Sequence, residues 1–231
     1  MWSYTTRVEL IDALEGAAVL LERVLPVVEE QCRRLLSPMP KAVPSNTPVQ
    51  GPLSAREAYD IARGLANDWA PDVELQGIGS SYPQAMYSAG GAPIASLTHD
   101  GRLQAAGAWN VTFLSKGLDH LCHYVVPHTG RVWWGASTVL PGAIPKYSAS
   151  VDSEDWLDST TAAPRAVAAA RLDLGGAPDD ITLALRDRAR YTGAFVWEAT
   201  CLRYARKKAR GRDVVVQIDR VTGGVLGRTV R

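Results

Sequence analysis

His120-Leu-Cys122-His123, preceded by Asp119, is the densest group of metal-ligand residue types in this 231-residue chain. On a strand, alternation places His120 and Cys122 on one face and His123 on the other. A tetrahedral centre would then have to recruit distant ligands such as His99 or His128. Cross-strand packing explains the group without an ion, so neither a metal nor a cofactor is expected. Nucleophilic chemistry has no better footing. Ser80, Ser81 and Ser115 lack a Gly-x-Ser-x-Gly setting, and no histidine is placed by spacing to serve as their base. Gly90-Gly91 and Gly175-Gly176 do not form a phosphate-cradling fingerprint. The residues point to binding rather than catalysis.

Three groups could bind. Arg203, Arg206, Lys207, Lys208, Arg210 and Arg212 form the strongest charge cluster, and they stand in a chain of uneven charge. Residues 1–185 carry 13 Lys/Arg against 20 Asp/Glu, whereas residues 186–231 carry 12 against 4. Such a finger could meet an acidic protein surface, or be a solvated hairpin tip. Few aromatics interleave it, so base stacking lacks support and nucleic acid is not expected. The second group is Trp109, Trp133, Trp134 and Trp197. Adjacent Trp133 and Trp134 must point to opposite faces of a strand, so one can fill a core while the other is covered or offered to a partner. The third is an N-terminal apolar stripe that includes Leu14, Leu21 and Leu25, wide enough to need a partner surface. The rest of the chain, a second copy and a different protein all remain open as that partner.

The elements that would position these residues follow from periodicity. Helical spacing runs from about Thr6 to Leu36, with Pro26 kinking or dividing it. Five prolines between Ser37 and Pro52 predict an extended linker or strap. Ser54-Ala-Arg-Glu57 fits a capping box, and Ala58, Ile61, Ala62 and Leu65 continue the helix toward Pro71. Strand-like runs follow at 73–80, 93–98, 103–114, 121–126 and 131–138, with Asp100-Gly101 marking a tight turn. A second helix over 166–172, with Pro164 near its start and Gly175-Gly176 at its stop, precedes strand-like runs at 181–190, 193–203, 213–219 and 225–229.

This order is given twice. Trp109-Asn-Val-Thr-Phe-Leu114 is echoed by Trp197-Glu-Ala-Thr-Cys-Leu202. Ala58 to Ala166 and Val73 to Ile181 share an offset of 108, and length changes fall where loops are expected. The fold expected is α+β: an N-terminal helical segment (1–36), a Pro-rich linker (37–52), and two tandem modules of helix plus antiparallel sheet (53–150 and 151–231).

Val214-Val-Val-Gln-Ile-Asp219-Arg-Val-Thr222-Gly223-Gly-Val-Leu226 resembles the ending of the PepSY domain. Val125-Val-Pro-His128-Thr129-Gly130-Arg-Val-Trp133 is its counterpart in the first copy. The resemblance implies small α+β modules with binding or regulatory roles, often outside the cytoplasmic membrane and linked to peptidase propeptides, and it supplies no catalytic residues.

Globular composition, with 46% apolar and 21% charged residues, excludes a disordered chain. Acidic residues recur through the first apolar stretch, so that stretch reads neither as a secretory leader nor as a membrane span. Three cysteines without a C-x-x-C pair read as reduced core residues, and a cytoplasmic location is expected. Together these features predict a non-catalytic protein-binding or assembly protein, a subunit of a larger bacterial complex. Its partner would be another protein or a further copy of itself. The alternative is a cytoplasmic inhibitor or immunity-like protein that blocks a partner enzyme or toxin.

Overall fold

A computed structural model describes residues 43–81, 97–105, 107–118, 120–138, 151, 155–187, 195–204 and 211–231. The expected helices over 1–36 lie outside them. Among the described residues nine strands form one antiparallel sheet: β1 (Val43–Gln50), β2 (Val73–Ser81), β3 (Ala108–Ser115), β4 (His120–Pro127), β5 (Thr129–Thr138), β6 (Asp180–Asp187), β7 (Phe195–Arg203), β8 (Arg212–Asp219) and β9 (Val225–Val230). Their order is β1-β5-β4-β3-β2-β6-β7-β8-β9. Two helices among the described residues, α1 (Ala55–Trp69) and α2 (Ser159–Leu174), pack on it.

This overturns the expected pair of tandem helix-plus-sheet modules. The fold is a predominantly β structure with one continuous sheet, and β2 pairs with β6 where a boundary between modules would lie. The seam is made by small residues. Ile78 faces Leu185 and Gly79 faces Ala184, while a Cβ on Gly79 would come 3.3 Å from the Ala184 methyl. Leu183 N donates to Ser80 Oγ at 2.9 Å and closes a ladder position that the short pairing would leave open. Two separate small sheets would each expose two edges, and pairing at the seam removes one edge from each.

Local rules explain most element ends. Ser54 caps α1 by accepting from Glu57 N, and Glu57 Oε2 accepts from Ser54 N at 2.7 Å, completing the capping box. The helix then runs to Trp69 and stops before Pro71. Helix α2 begins seven residues earlier than its apolar spacing indicates. Asp158 is its N-cap, accepting from Ser159 N at 2.7 Å, so Pro164 stands in the second turn. Gly175 closes the helix at φ 68°, a left-handed position where a side chain is strained. The expected Pro-rich linker contains β1, which pairs with β5 with a register shift between Pro44 and Pro48. Proline is confined to such outer strands because it has no amide to give to a ladder.

Both helices bury alanines: Ala55, Ala58, Ala62 and Ala66 from α1, and Ala162, Ala163, Ala166 and Ala170 from α2. Small faces let the helices approach closely, and large sheet residues, Trp109, Phe113, Tyr124 and Trp197, fill the core. Trp109 Nε1 donates to Leu53 O at 3.1 Å and Trp197 Nε1 to Leu157 O at 2.8 Å. Each acceptor immediately precedes a helix N-cap, so each indole ties a central strand to the start of a helix.

Candidate functional site

Chemistry-bearing residues are dispersed over the sheet. Among the described residues no three His, Cys, Asp or Glu side chains gather as a metal site. Asp119 lies outside the described residues. His120 Nδ1 is bonded to Leu118 O, and His123 Nδ1 to Thr112 Oγ1 at 3.1 Å on the neighbouring strand. Burial holds the His123 pKa below its usual value, which favours the neutral ring. Cys122 and Cys201 are buried free thiols. Burial pushes both thiols up, Cys201 to about 12, so neither supplies a thiolate at neutral pH. Ser115 Oγ donates to Asp72 Oδ1 at 2.7 Å and accepts from Leu118 N at 3.1 Å. His99 is turned to Pro178 O.

The residues expected to bind a partner are placed unevenly. Leu14, Leu21, Leu25, Arg206, Lys207, Lys208 and Arg210 lie outside the described residues. Strands β7 and β8 form the hairpin flanking the basic cluster, with Arg203 paired to Arg212 nearest its tip. Those two arginines serve the fold: Arg203 Nη1 donates to Leu174 O at 2.6 Å and Arg212 Nη1 to Asp173 O at 3.4 Å. Cations at the carbonyl end of α2 offset its dipole. Trp133 is 44% exposed on β5, and Trp134 is half-buried on the opposite face, stacked on Tyr124.

The outermost strands are where backbone groups remain available, and they differ. Strand β1 carries Pro44 and Pro48, which blunt its edge. Strand β9 has no proline, and its Val225, Leu226 and Val230 are 48%, 45% and 55% exposed, so it presents apolar side chains beside free backbone. Arg231 N donates to Asp213 O at 2.9 Å. Antiparallel alternation therefore turns the backbone groups of Arg228 and Val230 outward. Among the described residues no strand lies beyond β9.

The turn feeding β9 is rigid. Asp219 Oδ1 accepts from Val221 N, Thr222 N and Thr222 Oγ1 at 3.0, 2.7 and 2.9 Å. Gly223 N closes back on Asp219 O at 2.9 Å with φ 73°. These bonds, chiefly the one from Thr222 N, hold the Asp219 carboxyl below its ordinary value. The Asp-x-x-Thr-Gly spacing is thus a turn device that fixes where β9 starts. Arg228 reaches Asp173 Oδ2 at 3.2 Å and Ala169 O at 3.1 Å on α2, anchoring the strand from the helix side.

The exposed apolar residues of β9 were missed in the sequence, because a run of adjacent valine, leucine and glycine reads equally well as a covered strand. The exposure follows from its last position in the sheet order, which periodicity does not contain.

No family model and no curated protein matches the chain. Among solved structures it is similar to a Clostridium difficile 630 protein (CD1622) provisionally described as a lipoprotein. The TM-score is 0.48 at 10% identity, covering 80% of this chain and 97% of that one. No helix among the described residues is long and apolar enough to cross a membrane.

Proposed function

We propose that the protein is a non-catalytic binding or assembly protein that captures an extended segment of another protein along β9. The observation that carries this reading is the open β9 edge, with outward backbone groups and three exposed apolar side chains. Strand addition uses main-chain hydrogen bonds for affinity and side-chain positions for specificity. An acidic partner fits better than a second copy. Arg231 follows the strand, and residues 186–231 carry 12 Lys/Arg against 4 Asp/Glu. Two β9 strands set edge to edge would bring these charges together. The PepSY resemblance agrees with a binding role. Buried free thiols at Cys122 and Cys201 are compatible with a reducing, cytoplasmic setting.

Tagged wild-type protein and the variants Leu226→Glu and Val230→Glu, recovered from the native host, test the reading. The wild type should retain one stoichiometric acidic partner and both variants should lose it, with unchanged circular dichroism and thermal midpoints. Retention of the partner by both variants, or a wild type that recovers only a second copy of itself, would contradict the proposal.

A further inference from the structure

A second feature lies toward the other end of the sheet from β9. Leu65, Asp68 and Trp69 of α1, with Tyr124 of β4 and Trp134 of β5, line an open cleft of about 430 Å³. That volume suits a small molecule. The spacing of Leu65, Asp68 and Trp69 puts them on one side of the helix, facing the two aromatic strand residues. The Tyr124 and Trp134 rings stack at 6.5 Å between centroids and 21° between planes.

Two polar groups in the cleft have no hydrogen-bond partner among the described residues. The Tyr124 hydroxyl is buried with no nitrogen or oxygen partner, and only the Cys122 thiol, a weak one, lies beside it. A buried hydroxyl left in this way costs about 1–3 kcal/mol unless something else meets it. Asp68 is exposed and makes no hydrogen bond or ion pair among the described residues. A neutral apolar guest would desolvate that carboxylate without compensation. An anion would be repelled by it. A cation would be attracted both by the carboxylate and by the negative faces of the aromatic rings.

We propose that this cleft binds a small organic cation, an alkyl- or arylalkylammonium, with its charge beside Asp68 and its apolar part against Trp69, Tyr124 and Trp134. Burial foremost, with a smaller push from the Asp68 charge, drives the Tyr124 pKa upward. The phenol therefore stays neutral, and its oxygen can accept from the guest's ammonium N–H. The proposal does not depend on β9, because the residues are different and the cleft would remain if the edge bound nothing.

Phenethylammonium chloride, titrated calorimetrically into the full chain at constant ionic strength, is the direct probe, with 3-phenylpropan-1-ol as its uncharged counterpart. One saturable site is expected for the cation, with quenching of tryptophan fluorescence. Asp68→Asn, a change at an exposed position, should weaken it by about tenfold while leaving the fold intact. The alcohol should bind more weakly than the cation. No saturable heat from the wild type up to about 10 mM cation, a range that would detect even millimolar affinity, would overturn the proposal. So would equal affinity of Asp68→Asn, or alcohol binding as tight as that of the cation.

Discussion

Asp219 illustrates how one side chain sets the position of the proposed binding edge. Its carboxylate gathers two amides and a hydroxyl of the turn before β9, and these bonds depress its pKa from the ordinary 3.8. A carboxyl with a lowered folded value stabilises the fold fully above its unfolded pKa, and this contribution is lost as pH falls through the folded value. Asp219→Ala should therefore lower the urea midpoint at pH 7. The gap from wild type should narrow below about pH 4, where the wild-type carboxyl also protonates. A gap of equal size at pH 3 and pH 7 would show that the carboxylate charge is not what holds the turn. The Asp-x-x-Thr-Gly spacing was visible in the sequence, and its meaning as a hydrogen-bonded turn is local, which is why it could be read. The Tyr124 hydroxyl was not legible, because its isolation depends on α1 crossing over β4 from about sixty residues away (a tertiary fact).

At the level of elements, the two helix starts meet. Asp158 caps α2, and its Oδ1 also accepts from Arg56 N at 2.9 Å in the first turn of α1. Ser159 Oγ accepts from Ala55 N at 2.9 Å and donates to Gly101 O at 2.7 Å. Gly101 has φ 81°, and a Cβ there would lie 2.1 Å from Ser159 O, so the Asp100-Gly101 turn must be glycine to seat against α2. The Arg56 guanidinium lies 3.7 Å from the centre of the Trp156 ring and donates to Trp156 O at 2.7 Å. One acidic side chain thus serves the positive ends of two helices. Asp158→Ala should cost about 2–3 kcal/mol, more than an ordinary cap, because amides of both helices lose an acceptor. Chemical denaturation measures this, and a loss no larger than that of Ser54→Ala would argue against the shared junction. Sequence patterns located α1 and its capping box, the Gly175-Gly176 stop of α2 and most strands to within a few residues. They missed the early start of α2, since Ser159–Ala163 has no apolar stripe and is helical through capping and contact. They also missed β1, whose prolines favour a linker until β5 is present to pair with it.

Across the whole molecule, the two ends of the sheet are joined through one core. Trp197, Trp156, Tyr59, Phe113, Tyr124 and Trp134 contact in succession, with centroids 5.7–6.5 Å apart. Each such aromatic pair contributes about 0.5–1.5 kcal/mol beyond area burial. Spacing located the two described helices and most strands, but the sheet's continuity was not legible. Which edges meet depends on Gly77, Gly79 and Ala184 being small at the seam, and small residues carry no periodic signal. That continuity leaves β1 and β9 as the only outer strands among the described residues, and proline blunts one of them. Hydrogen exchange at the β9 amides, in the free protein and in the complex recovered from the native host, tests strand capture most directly. The Arg228 and Val230 amides should exchange rapidly when free and be protected when bound, while Thr229 should change little. Equal exchange at Arg228 and Val230 in both states, in a complex that remains intact, would contradict binding along β9.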